Sequence, residues 1–225
     1  MMAAFLQKLK STAFDGLDVE CYDVDLQGWM NPEFRDVFRK ALAIKNPEDP
    51  LTIIEVGTWK GLSTTTMATI AKEQNFKDVN IVAVDTWLGA PEFWTTGLDD
   101  PTRYGSLRCN MGYPSVFYTF TKNVKKLGHD DCIAPLPISS VQGADVLKYY
   151  NIMADVIYID AAHEYEPVYA DIQSYFPLLK PGGTLIGDDY TGGWPGVVKA
   201  VNEFAHAHGM NHEVYDVFWS ITKQH

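Results

Sequence analysis

Four short apolar runs in this chain end in the same way. Each carries an acid or a glycine at the point where a strand would leave a sheet. Thr52–Val56 carries Glu55 and ends at Gly57. Ile81–Val84 ends at Asp85, Asp155–Ile159 at Asp160, and Thr184–Gly187 at the pair Asp188-Asp189. A fifth run, Ile133–Ile138, has the same apolar character. Continuous runs of this length, without polar alternation, mark strands buried on both faces.

Helical spacing fills the gaps between them. Helices are expected from about Ser63 to Glu73, near Gly143–Tyr150, over 167–179 (Val168, Ile172, Tyr175 and Leu179 on one face) and from Pro195 to His208. Pro181-Gly182-Gly183 is expected to stop the third, and Gly209 to cap the last in a left-handed conformation. Upstream, Asn31-Pro32 reads as the start of a helix reaching Ala43, and Asn46-Pro47-Glu48-Asp49-Pro50 as a turn. Residues 213–223 alternate as one or two terminal strands. Strands alternating with helices predict an α/β fold with a mostly parallel sheet covered on both sides.

Such sheets bind ligands beyond the carboxyl ends of their strands. That rim is where Glu55, Asp85, Asp160, Asp188 and Asp189 stand. Glu55-x-Gly57-x-x-x-Gly61-x-Ser63 joins a strand to a helix and lets a ligand approach the helix N-terminus, although the spacing is not the GxGxxG of dinucleotide folds. Asp85, some two dozen residues further on, is placed to grip ribose hydroxyls. If the strands ending at Asp160 and Asp188 are neighbours, their acids face one site. Clustered carboxylates repel unless a cation lies among them, and an all-oxygen set suits Mg²⁺ or Mn²⁺. His163, three residues past Asp160, is placed to act there as a base.

Charge and composition narrow the partners. Lys and Arg number 18 against 29 acids, a net charge of −11, which argues against nucleic acid and anionic membranes. Cys21, Cys109 and Cys132 are too few and scattered for a disulfide framework. With two lysines in the first apolar stretch and no run of about 18 apolar residues, a cytoplasmic protein is expected. No linker divides the chain, so 1–225 is expected to form one domain with a preface over 1–50 and an insertion over 88–130. That insertion begins with a strandless stretch rich in aromatics (Phe93, Trp94, Tyr104, Tyr113, Phe117, Tyr118), the pattern of a lid. The spacing of Tyr113, Phe117 and Phe120 predicts a helix face in the core. His129 is expected in a polar turn, and His206 and His208 near a helix end complement its dipole.

The stretches IIEVGTWKGLST, IVAVDTW, IDAAHEYEPVYADI and LLKPGGTLIGDDYTGGWPGVVKAVNEF resemble the class I S-adenosylmethionine-dependent methyltransferases. Within them the chain is most similar to the branch holding macrocin O-methyltransferase and metal-dependent sugar O-methyltransferases. The resemblance covers about residues 50–205. It implies a Rossmann-like three-layer α/β/α sandwich, with a seven-stranded, mostly parallel sheet and an antiparallel terminal strand. It implies S-adenosyl-L-methionine held by Glu55, Gly57, Gly61, Ser63, Asp85, Trp87, Ser140 and Asp160, with Ser139–Ala144 bordering the adenine. It also implies Mg²⁺ or Mn²⁺ on Asp160, Asp188 and Asp189, His163 as general base, and a small-molecule acceptor bearing a hydroxyl (sugar, glycoside or diol). The rival readings are a metal-dependent hydroxylase-like or hydrolytic enzyme, and a non-catalytic S-adenosylmethionine-binding module. The aromatic preface around Trp29 is a candidate homo-oligomer contact.

Overall fold

The computed structural model describes residues 1–224. Its strands are β1 (Leu51–Val56), β2 (Val79–Asp85), β3 (Ile133–Pro137), β4 (Ala154–Ile159), β5 (Leu179–Gly187), β6 (Glu213–Tyr215) and β7 (Phe218–Thr222). Its helices are α1 (Met2–Phe14), α2 (Phe34–Ala43), α3 (Leu62–Glu73), α4 (Val116–Lys126), α5 (Ser140–Tyr149), α6 (Tyr165–Tyr175) and α7 (Pro195–Ala207). One seven-stranded sheet runs β3-β2-β1-β4-β5-β7-β6, parallel through β5, with β7 antiparallel to both β5 and β6. The α/β sandwich expected from the alternation is the observed architecture.

Strand parity divides the core. Ile54, Val56, Val82, Val84, Ile157, Ile159 and Leu185 pack on one face with α5, α6 and α7. Their neighbours Ile53, Ile81, Ala83, Val156, Tyr158 and Ile186 pack on the other with α2, α3 and α4. Successive strand residues point to opposite faces. Glu55, Asp85, Asp160 and Asp188 therefore all share the parity of the second face. Register keeps the strand ends level, with Val56 opposite both Val84 and Ile159, and Ile159 opposite Gly187. Parity and level ends together bring the acids to one rim.

Several local expectations change. The helix over 167–179 ends at Tyr175 and tightens into a 3₁₀ turn at Phe176–Leu178, where Pro177 has no N–H to continue the ladder. Pro181-Gly182-Gly183 lies inside β5, as a bulge between the pairs Ala154–Leu179 and Val156–Thr184. The tail makes two strands, turned by Asp216 at φ 55°. The second half of the expected 88–130 insertion is α4, an ordinary crossover helix with Phe120 and Val124 buried against the sheet. The irregular part is confined to Thr86–Ser115, with 3₁₀ turns at Pro91–Trp94 and Tyr104–Leu107. Tyr113 precedes α4 and is exposed, so the expected stripe reduces to Phe117 and Phe120. His129 is buried, its Nε2 3.2 Å from the Thr69 hydroxyl. No described helix is long and apolar enough to cross a membrane.

The preface is tied to the rim by one buried amide. The Asn123 side chain donates to the carbonyls of Asp25 (2.6 Å) and Lys60 (2.8 Å) and accepts the Asp25 N–H (3.0 Å). Buried Lys60 closes the clasp with an ion pair to Asp25 at 2.9 Å. This fixes residues 25–30 above the loop that follows β1.

Candidate active site

A cavity of about 820 Å³ opens over the carboxyl ends of β1, β2, β4 and β5. Gly57, Ser63, Asp85, Ser140, Asp160, His163, Asp188 and Asp189 line it; Glu55, Gly61 and Trp87 do not. Gly57 turns the chain out of β1 at φ +86°, and a Cβ there would lie 2.0 Å from the Asp160 carbonyl oxygen. The first rim loop thus touches the loop after β4 backbone to backbone, which only glycine permits.

The three residues outside the lining build the loop beneath it. Glu55 is fully buried, and its carboxyl accepts the hydroxyls of Ser63 and Thr64 at the start of α3. Burial pushes its pKa up to about 8, against the two hydroxyl bonds, so it is largely uncharged at neutral pH. Gly61 is left-handed at the N-cap of α3, where a Cβ would meet the Phe120 ring at 3.0 Å. Trp87 is buried against Phe117 and Phe120, and its indole N–H donates to the Trp59 carbonyl at 2.8 Å. Asp85 organises the same loop. Its Oδ2 accepts the amides of Thr58 and Trp59, each at 2.8 Å, and its Oδ1 that of Trp87 at 2.7 Å. Burial still raises its pKa, with those amides opposing.

The second half of the site is a knot of acids on β4 and β5. Ligand atoms of Asp160, His163 and Asp189 lie within 4.8 Å of one another, and His163 Nε2 sits 2.9 Å from Asp189 Oδ2. Asp188 points lower than the expected set required. Its Oδ1 accepts the Asp189 amide at 2.7 Å, and its Oδ2 accepts the Tyr158 hydroxyl at 3.0 Å. Asp189 adopts φ 63°, which turns the chain so that two successive acids both reach the cavity.

Burial and mutual repulsion hold the Asp160 pKa well above the usual carboxylate range; burial first, then the Asp189 charge, lifts that of Asp188 to about 6. Desolvation pulls the His163 imidazole pKa down, but the hydrogen bond and charge of Asp189 outweigh it and raise the net value. Among the described lining residues Arg103 is the only Lys or Arg, set against seven carboxylates. An oxygen-rich donor set, crowded and short of positive charge, fits a divalent cation.

Two contributors carried no signal strong enough to be singled out in the sequence. Tyr158 looks like strand filler, yet its hydroxyl lies under both Asp160 (3.3 Å) and Asp188 (3.0 Å). Its position two residues before Asp160, hence on the same face, was the available clue. Trp194, in the Gly192-Gly193-Trp194 turn before α7, stacks on the His163 ring with centroids 4.1 Å apart.

The roof is aromatic. Trp29 from the preface meets Trp59 (6.2 Å) and Phe93 (5.8 Å), and the Arg103 guanidinium lies 4.3 Å over the Trp29 ring.

The acidic cavity lies at the strand ends of an open α/β sheet, the place where Rossmann-like sheets bind their ligands. The family model described as "Methyltransferase domain" (Methyltransf_24) matches residues 54–190, and the chain belongs to that family. An uncharacterized protein of Acanthamoeba polyphaga mimivirus is 28% identical over 158 residues, covering 69% of this chain and 60% of that protein's length. Among solved structures, the O-methyltransferase NovP shares the fold at TM-score 0.67 and 16% identity, with all of both chains covered. An O-methyltransferase from Bacillus cereus, solved with SAH, matches at TM-score 0.56 and 13% identity over 98% of this chain and 91% of its own. The fold is that of class I methyltransferases.

Proposed function

We propose that the chain transfers a methyl group from S-adenosylmethionine to a hydroxyl of a small molecule, a sugar, glycoside or other diol, with help from a divalent cation. The observation that carries this reading is the sharing of one cavity by two features: the Gly57–Asp85 cleft, and the Asp160–His163–Asp189 group. Asp85, already fixed by backbone amides, takes the ribose hydroxyls, while Gly57 and Ser63 let the donor approach α3. Ser140 borders the adenine. Glu55, Gly61 and Trp87 act one layer below by holding that loop in shape.

Asp160 and Asp189 would be the oxygen donors for Mg²⁺ or Mn²⁺, while Asp188, the third acid expected, is held below them by the Tyr158 hydroxyl and the Asp189 amide. When bound, the cation supplies positive charge beside the acceptor oxygen and lowers the cost of removing its proton. His163, held by Asp189 and stacked on Trp194, accepts that proton. The acceptor oxygen then attacks the methyl carbon: the C–O bond forms as the methyl–sulfur bond breaks, the bonding pair stays on sulfur, and S-adenosylhomocysteine leaves as a neutral thioether. Holding the two within about 3–3.5 Å supplies much of the rate. The aromatic roof keeps water out while the transfer proceeds.

The 2.9 Å contact between His163 and Asp189 favours a second reading of one residue, in which His163 is itself a ligand. His163→Ala separates the two. A base leaves Mn²⁺ affinity nearly unchanged while turnover is lost, whereas a ligand loses both. The general test is methyl transfer from labelled S-adenosylmethionine to a panel of glycosides and catechols, with and without EDTA. Donor binding without transfer to any acceptor favours the non-catalytic module. Absence of donor binding refutes the proposal and leaves the hydrolytic reading.

A further inference from the structure

Arg103 is a cation in the cavity wall to which the transfer chemistry gives no task. The chain has four arginines, and the other three are spent on acids. Arg35 and Arg39 pair with Glu73 at 3.2 and 3.0 Å, and Arg108 pairs with Asp25 at 3.0 Å. Arg103 meets Glu92 only at 4.0 Å, beyond hydrogen-bond reach.

Ring stacking holds the group instead. Its guanidinium lies 4.3 Å over the Trp29 ring and 5.3 Å from the centre of the Phe93 ring. A Cβ on Gly97 would stand 2.8 Å from the Arg103 Cβ, so the loop closes directly on the stem of the side chain. Stacking fixes the plane of a guanidinium and leaves its N–H edges open. Those edges form a fork that a carboxylate or a phosphate fills with two parallel hydrogen bonds. The seven carboxylates around the cavity disfavour an anion elsewhere on the wall. A ligand with one negative group therefore lies one way, its anion under the roof and its hydroxyls toward Asp160 and Asp189.

We propose that the acceptor carries a carboxylate or phosphate group, and that Arg103 grips this group and so directs the hydroxyl to the floor. This rests on the reading of the cavity as a methyl-transfer site.

Calorimetric titration of the full chain, saturated with S-adenosylhomocysteine and with Mg²⁺ in the buffer, tests it with paired probes. One pair is protocatechuate and catechol, the other glucose 1-phosphate and methyl glucoside, so the two arms separate a carboxylate from a phosphate. In at least one pair the wild type is expected to bind the anionic member about tenfold more tightly, and Arg103→Gln to bring that ratio close to one. Equal binding within both pairs overturns the proposal, as does binding of no probe. A merely structural Arg103 would weaken both members together and leave the ratio unchanged, and a preference that survives in the variant overturns the proposal. Loss of S-adenosylhomocysteine affinity in Arg103→Gln overturns it too, by assigning the guanidinium to the donor's own carboxylate. If the wild type does not bind S-adenosylhomocysteine, the donor reading itself fails, and this inference with it.

Discussion

The floor and the roof of the cavity are built by different physics. The floor is a set of strand ends held level by ladder hydrogen bonds. Its acids are placed by parity on β1, β2, β4 and β5, and its loops touch through backbone at Gly57 and Asp160. The roof is a stack of side chains from two irregular segments. Trp29 comes from the preface and stays half exposed, and Phe93 and Arg103 come from the stretch between β2 and α4. Ladder geometry tolerates almost no displacement, while ring stacking accepts many partners at modest cost. In the proposed function, reactive groups therefore belong to the floor, and acceptor choice to the roof.

The sharpest way to break this contrast is at the floor. Gly57→Ala forces a Cβ onto the Asp160 carbonyl at a positive φ. It is expected to cost about 3 kcal/mol or more of stability, read by denaturant unfolding, with loss of S-adenosylhomocysteine binding. An unchanged unfolding midpoint would show that the two loops are not in contact. Next comes Asp160→Asn, expected to lower turnover by on the order of 100-fold and to weaken Mn²⁺ binding, with donor affinity nearly retained. Turnover that remains equally sensitive to EDTA in this variant would place the cation elsewhere.

Glu55 gives a pH signature of the buried floor. Its pKa in the folded chain, about 8, is above the ordinary 4.5, so the folded state keeps a proton that the unfolded state releases. Stability is therefore highest below the unfolded value and falls as pH rises from about 4.5 toward 8. Glu55→Gln stays neutral throughout. It is expected to flatten that decline by on the order of 2 kcal/mol between pH 5 and pH 8, measured by urea unfolding. Parallel curves for variant and wild type would mean that Glu55 is ionised in the fold.

The smallest effect is expected at the roof. Trp29→Ala should raise the acceptor KM about tenfold and change the Kd for S-adenosylhomocysteine less than twofold. Equal losses for donor and acceptor would erase the division between floor and roof.

The same contrast explains what could be read from the sequence. Strands buried on both faces write their signature as unbroken apolar runs, so the order of β1–β5 and the acids at their ends were legible. Which acids line the cavity was less so. Glu55 and Asp85 share a parity, but Ser63 and Thr64 close over Glu55, a contact set by the placement of α3. Asp188 and Asp189 are adjacent in sequence, and a left-handed Asp189 separates their tasks, one toward Tyr158 and one toward His163. Pro181-Gly182-Gly183 read as a helix stop because a bulge inside a strand uses the same residues as a turn. The roof was legible only as aromatic content, since nothing local tells Trp29 that Arg103 will lie over it.

In the proposed function, acids from separate strands jointly hold one cation beside the donor. Titrating Mn²⁺ into the protein saturated with S-adenosylhomocysteine, followed by electron paramagnetic resonance, measures that directly. The expected result is a single bound ion per chain, lost in Asp160→Asn. Saturable binding of equal strength in that variant, or none in the wild type, would contradict it.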